Sequence, residues 1–144
     1  MVNSIYKLIE RDLDRLADEI KAFPPEKFWT KTGEVRNSAG NLALHICGNL
    51  EHFIGAVLGG TDYIRDREFE FNATNVPMET VLSEITKTKE AISFSFNKLN
   101  NSSLADPYPL EVFGYQMSIG YFLIHLQGHL NYHLGQINYL RRLL

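Results

Sequence analysis

The chain has 144 residues, 44% hydrophobic and 22% charged, with a formal net charge of -3. Such a length fits one domain, 1–144, able to bury about two-thirds of the surface its unfolded chain exposes. The slight acidity comes with no basic stripe, which argues against a nucleic-acid partner. No run reaches the roughly 18 apolar residues of a membrane span.

The opening Met-Val-Asn-Ser-Ile-Tyr-Lys lacks the basic region and apolar run of a signal peptide. Cys47, the single cysteine, has no partner for an internal disulfide. A cytoplasmic protein is therefore expected. Cys47 lies in Leu44-His45-Ile46-Cys47-Gly48 and reads as a buried structural thiol.

Residues 4–21 carry Ile5, Leu8, Ile9, Leu13, Leu16, Ala17 and Ile20 at helical spacing, and Pro24-Pro25 ends the pattern. The next segment, to about residue 37, is a connection whose Phe28 and Trp29 are expected to fold back over one end of the bundle. Ser38 suits the N-cap of a second helix, 38–59, with Leu42, Ile46, Leu50, Phe53 and Val57 as its stripe. Gly59-Gly60 marks its stop, while Gly40, Gly48 and Gly55 read as close-packing positions.

Residues 61–76 are polar and charged. The alternation in Asp66-Arg67-Glu68-Phe69-Glu70-Phe71 has no partner strand, so a loop across the bundle is expected. Pro77 suits the first position of a third helix, 77–98, striped by Met78, Val81, Leu82, Ile85, Ile92 and Phe96. A second connection, about 101–117, leads to a last helix over 118–143, striped by Ile119, Phe122, Leu126, Leu130, Ile137 and Leu140. Four long helices and no convincing strand predict an all-α four-helix bundle.

The five histidines fall on two of these helices: His45 and His52 on the second, His125, His129 and His133 on the last. At about 100° per residue, His133 sits at the centre of the last helix's stripe, His129 about 40° from it and His125 about 80° from it. Two inward imidazoles are costly unless their nitrogens are satisfied. A divalent metal satisfies them, and a pair one turn apart then needs a ligand from a facing helix.

His45 and His52 are the candidates for that ligand, and helical phase does not separate them. Asn49, one turn from His45, is placed to hydrogen-bond a ligand, a bound water or the chain. Hydrogen-bonded core histidines remain the plainer reading of such spacing. No His-Glu-x-x-His motif supplies a base. Nothing in the periodicity brings Glu51, Asp106, Glu111 or Tyr132 to the histidines. Gln136 is expected to hydrogen-bond across helices or at a subunit contact.

The segment Ser38-Ala39-Gly40-Asn41-Leu42-Ala43-Leu44-His45-Ile46-Cys47-Gly48-Asn49-Leu50 resembles the second helix of the DinB-like superfamily. The segment His125-Leu126-Gln127-Gly128-His129-Leu130-Asn131-Tyr132-His133-Leu134-Gly135-Gln136-Ile137 resembles its last helix. Tyr139-Leu140-Arg141-Arg142, the tryptophan after the first helix and Arg65-Asp66-Arg67 extend the likeness over essentially the whole chain. The resemblance implies an up-down-down-up bundle, often a homodimer, whose metal, commonly zinc or nickel, is held by one histidine of the second helix and two of the last. Matched onto this chain, these are His45, His129 and His133.

Some members of that family are transferases or isomerases that use a low-molecular-weight thiol. This chain resembles an uncharacterised branch, and no residue here marks a thiol site. Three readings follow: a metal-dependent enzyme acting on small molecules as a hydrolase or thiol transferase; a non-catalytic metal- or ligand-binding module; and a structural helical protein. A homodimer through the last helix is expected from the family likeness and from the seven tyrosines and nine phenylalanines.

Overall fold

The computed structural model describes every residue, Met1–Leu144. It is all-α, with helices α1 (Val2–Ala22), α2 (Ala39–Leu50), α3 (Arg67–Asn72), α4 (Met78–Phe96) and α5 (Ile119–Leu143). None is long and apolar enough to cross a membrane.

Four helices form a ring in the order α1, α5, α2, α4. Side-chain pairs along its seams fix the directions. Asp12 meets Gln127 and Asn131 while Glu19 meets Asn138 and Arg141, so α1 and α5 run parallel. The start of α1 is tied to Asn101, just beyond the end of α4, so those two run antiparallel. His45 faces His129 and Phe53 faces Phe122, so α2 runs against α5. The order is up-down-down-up. Parallel α2 and α4 cannot be joined by a tight turn, which accounts for the first long connection; the second joins α4 to α5, which run antiparallel and are not neighbours in the ring.

The stripe of α1 packs as its spacing requires: Ile5, Ile9, Leu13, Leu16 and Ile20 are buried. Leu8, on the edge of that stripe, is instead exposed. A charge enters the core beside it. Asp12 is fully buried, receives Arg11, Arg15, Gln127 and Asn131, and so staples α1 to α5. Burial opposes its ionisation, but the hydrogen bonds from Arg11 and Asn131 and the two arginine charges prevail and hold the carboxyl below its ordinary range.

Helix α2 is buried on every side. Ser38 caps it reciprocally: its hydroxyl accepts from the Asn41 backbone, and the Asn41 side chain accepts from the Ser38 backbone. The Asn41 amide also donates to the carbonyls of Glu70 and Ala73, fastening α3 to the start of α2. Gly40 lies beneath the Trp29 ring, leaving no room for a methyl group. Phe28 is fully buried and the Trp29 indole donates to the Val76 carbonyl, so both aromatics close one end of the bundle.

Three boundaries differ from expectation. The second helix does not run as one α-helix over 38–59: after Leu50 it widens into a π-helical turn, Glu51–Ala56, and Gly60 ends the segment at φ +70°. Residues 67–72 are a helix rather than a loop, because the Asp66 carboxylate caps the Phe69 N–H at 3.0 Å. Six residues are too few to show a 3.6 period. Pro77 is the N-cap of α4 rather than its first helical residue, in extended conformation at ψ 137°.

Candidate metal centre

The antiparallel contact of α2 with α5 brings three imidazoles together. His45 Nε2 lies 3.2 Å from His129 Nε2, and His133 Nε2 lies 3.1 Å from the same atom. The cluster's ligand atoms all fall within 4.8 Å of one another. Tetrahedral ligands at about 2.0–2.1 Å from zinc stand about 3.3 Å apart, close to the two short spacings. His129 and His133 meet because they are one turn apart on α5. His45 reaches them from a helix it could not leave without exposing an apolar surface.

The far nitrogens fix which way the lone pairs point. His45 Nδ1 is 3.0 Å from Glu70 Oε1. A carboxylate only accepts, so this nitrogen carries the proton and donates, despite Arg65 Nη2 at 3.3 Å. His133 Nδ1 donates to Gln136 Oε1 at 2.7 Å. In the neutral state a metal ligand needs, both rings turn a bare Nε2 toward His129 Nε2, which can donate one hydrogen bond at most. One lone pair is left facing nitrogen, and a cation among the three removes that conflict. The donor set, three imidazoles with outer hydrogen bonds on two, fits a divalent metal ion.

Glu70 links the imidazoles to the fold. It accepts from Arg65 Nε at 2.8 Å and Nη2 at 2.9 Å as well as from His45, and is buried. Burial works against its charge, yet the His45 and Arg65 hydrogen bonds and the arginine charge keep the carboxyl below its ordinary range. Gly48 makes this possible: a methyl group there would overlap the Glu70 carboxylate. The glycine in the last turn of α2 is thus the seat of the acid that orients His45.

Burial pushes His129 down to about 4, and charge on His133 or His45 would push it further. Burial also lowers His133, against the opposing Gln136 hydrogen bond. Both rings are accordingly neutral at pH 7, the state a metal ligand needs.

The other residues singled out from sequence stand apart. His125 is exposed and stacks on Phe122 at 5.8 Å. His52 packs edge-on to Phe53, outside the cluster. Glu51 is buried, but against α4: burial and the Glu84 charge raise it to about 7. Cys47 is buried and raised to about 12, an inert thiol. Asp106 and Glu111 are exposed on the second connection, and Tyr132 flanks His133 from the outside.

A cavity of about 340 Å³ opens beside the imidazoles. His45 and His129 reach it, with Asn49, Phe53, Phe113, Phe122 and His125 on the walls and Arg65 and Arg67 from the segment around α3. Sequence reasoning missed Glu70, Arg65 and Arg67 as parts of this region. The available signal was the Asp66 cap, which would have made a helix and put Glu70 one turn beyond it.

No curated protein matches the chain. The crystal structure of a DinB-like protein from Bacillus cereus has the same fold, with a TM-score of 0.72 at 17% identity, covering 91% of this chain and 84% of that one. The model of the DinB family matches residues 1–144. From its first residue to its last, the chain belongs to the DinB family.

Proposed function

We propose that His45, His129 and His133 hold one divalent cation, zinc or nickel, and that the protein is a metal-dependent enzyme acting on a small molecule. The observation that carries this reading is the convergence of two unprotonated Nε2 atoms on a third beside an open cavity. Three neutral protein ligands leave coordination positions free, the pattern of catalytic rather than structural sites. When bound, the ion would supply a Lewis acid that lowers the pKa of a water or a low-molecular-weight thiol. The chain's own part is to fix the imidazoles through Glu70 and Gln136 and to line the approach with aromatic rings that limit water.

Hydrolase and thiol-transferase activities are separated by one assay. Metal-reconstituted protein is offered a panel of small electrophiles with and without added thiols, beside His133→Ala. Turnover that needs thiol and is lost in the variant supports transfer; turnover without thiol supports hydrolysis. Activity indifferent to both metal and His133 would remove the enzyme reading and leave a non-catalytic binding module.

The same reading includes a homodimer through α5. Tyr121, Ile124, Tyr132, Tyr139 and Leu143 are each 56–72% exposed along its outer face, with Gly128 and Gly135 open between them. Bulky side chains alternating with gaps at spacings of three and four suit a second copy of the same helix. Sedimentation at micromolar concentration is expected to give a dimer mass for the native chain and a monomer mass for Ile124→Glu combined with Tyr139→Glu. A native monomer would remove the dimer.

A further inference from the structure

Asn49 is an anomaly in the cavity wall. It lies one helical turn from His45, is only 7% exposed, and its Oδ1 has no hydrogen-bond partner. Buried amide oxygens are nearly always paired, and leaving one bare disfavours the folded state. Its neighbour on the cavity wall, His45, directs its own protons elsewhere. That oxygen is closed off from the cavity, and the Nδ2 of the same amide is the atom a molecule entering there would meet.

Charge gives a second constraint. No aspartate or glutamate lines the cavity. Arg65 is committed to Glu70. Arg67 also faces the cavity, and forms no ion pair; its guanidinium rests over the Phe71 ring, 5.4 Å from the centroid. An arginine fixed by an aromatic ring, without an acid, is ready to take an anion. The walls between these polar groups are flat and apolar: Phe113 and Phe122 meet edge to face at 6.0 Å, and Phe53 and Phe122 do so at 5.2 Å. The volume falls in the range of small-ligand sites.

We propose that the cavity takes a small anion with a flat apolar body, its acidic group paired with Arg67 and a hydroxyl oxygen of the same molecule accepting from the Asn49 amide. This rests on the metal-centre reading only for what the ligand then undergoes. Its selectivity is a property of Arg67 and Asn49. A hydroxylated aromatic carboxylate has all three features, and 4-hydroxybenzoate serves as the probe. Its controls are 4-hydroxybenzamide, which lacks the charge, and 4-methylbenzoate, which lacks the hydroxyl.

Affinities are measured by calorimetry on zinc-free and zinc-loaded protein, native and as Arg67→Gln and Asn49→Ala, with circular dichroism confirming the fold. Native protein is expected to bind 4-hydroxybenzoate about tenfold tighter than the benzamide, because a charge-assisted pair is the stronger one. Arg67→Gln should bring that ratio close to one. Asn49→Ala should erase the preference over 4-methylbenzoate and keep the preference over the benzamide. A charge preference that survives Arg67→Gln and disappears without zinc would mean that the carboxylate sits on the metal, and would overturn the proposal. Equal affinities, or no binding to folded native protein, would overturn it too. Zinc-free protein that shows the Arg67-dependent ratio while zinc fails to bind would uphold this inference and end the metal-centre reading.

Discussion

Replacing His133 by alanine is expected to abolish stoichiometric zinc binding, weakening it at least ~100-fold, while His125→Ala and His52→Ala bind one ion per chain much as the native protein does. The difference follows from what each ring touches. His133 Nε2 is 3.1 Å from His129 Nε2, and its proton is fixed on the far side by Gln136. Removing it leaves two ligands on opposite helices, too few to displace water from a divalent ion. His125 stacks on Phe122 and His52 packs edge-on to Phe53, and neither contributes a nitrogen to the cluster. Calorimetric titration of zinc into metal-free protein checks all three variants. Equal binding by His133→Ala and His125→Ala would show that the ion is held elsewhere.

The second large effect is expected at Glu70, a residue that touches no ion. Glu70→Ala should cost about 3–5 kcal/mol of folding stability, because the Arg65 side chain, 13% exposed, is left as a nearly buried charge without its counter-ion. The same change frees the His45 ring to rotate and to move its proton, so zinc affinity should fall about 10–100-fold. Urea unfolding of metal-free protein reads the first effect and zinc titration the second. Glu70→Gln separates them further, since it keeps an acceptor for His45 but loses the charge that balances Arg65. Unfolding at native urea concentrations in Glu70→Ala would contradict the role given to this carboxylate, as would a zinc affinity that does not move.

The readable parts of this fold were those that repeat. Ile5, Ile9, Leu13, Leu16 and Ile20 recur over about four turns, long enough for the helical period to stand out, and Ser38 announces a helix by its capping chemistry. The same periodicity turned His129 and His133 inward and set His125 aside, and the structure brings the first two to His45. It was silent on α3, where two turns carry no period, and on the π-helical turn, whose sequence carries no signal that sets it apart from the α-helix before it. Asp12 and Glu70 were invisible for another reason. Their near partners, Arg11, Arg15 and Arg65, look like any exposed ion pair, and the ones that mark burial lie 119 and 25 residues away, at Asn131 and His45.

The parallel seam between α1 and α5 bears on how the chain is made. Asp12 waits for Asn131, 119 residues later, and His45 for His129, 84 residues later. On a ribosome adding about 5–20 residues per second, the carboxylate of Asp12 stays without these amides for about 6–24 s after it is synthesised. Until α5 emerges, the apolar flanks of α1 and α2 have only α4 to cover them, and a chaperone has that interval in which to bind. Helix α5, made after the other three of the ring, completes both the core and the imidazole cluster, so a chain cut short before α5 would have neither.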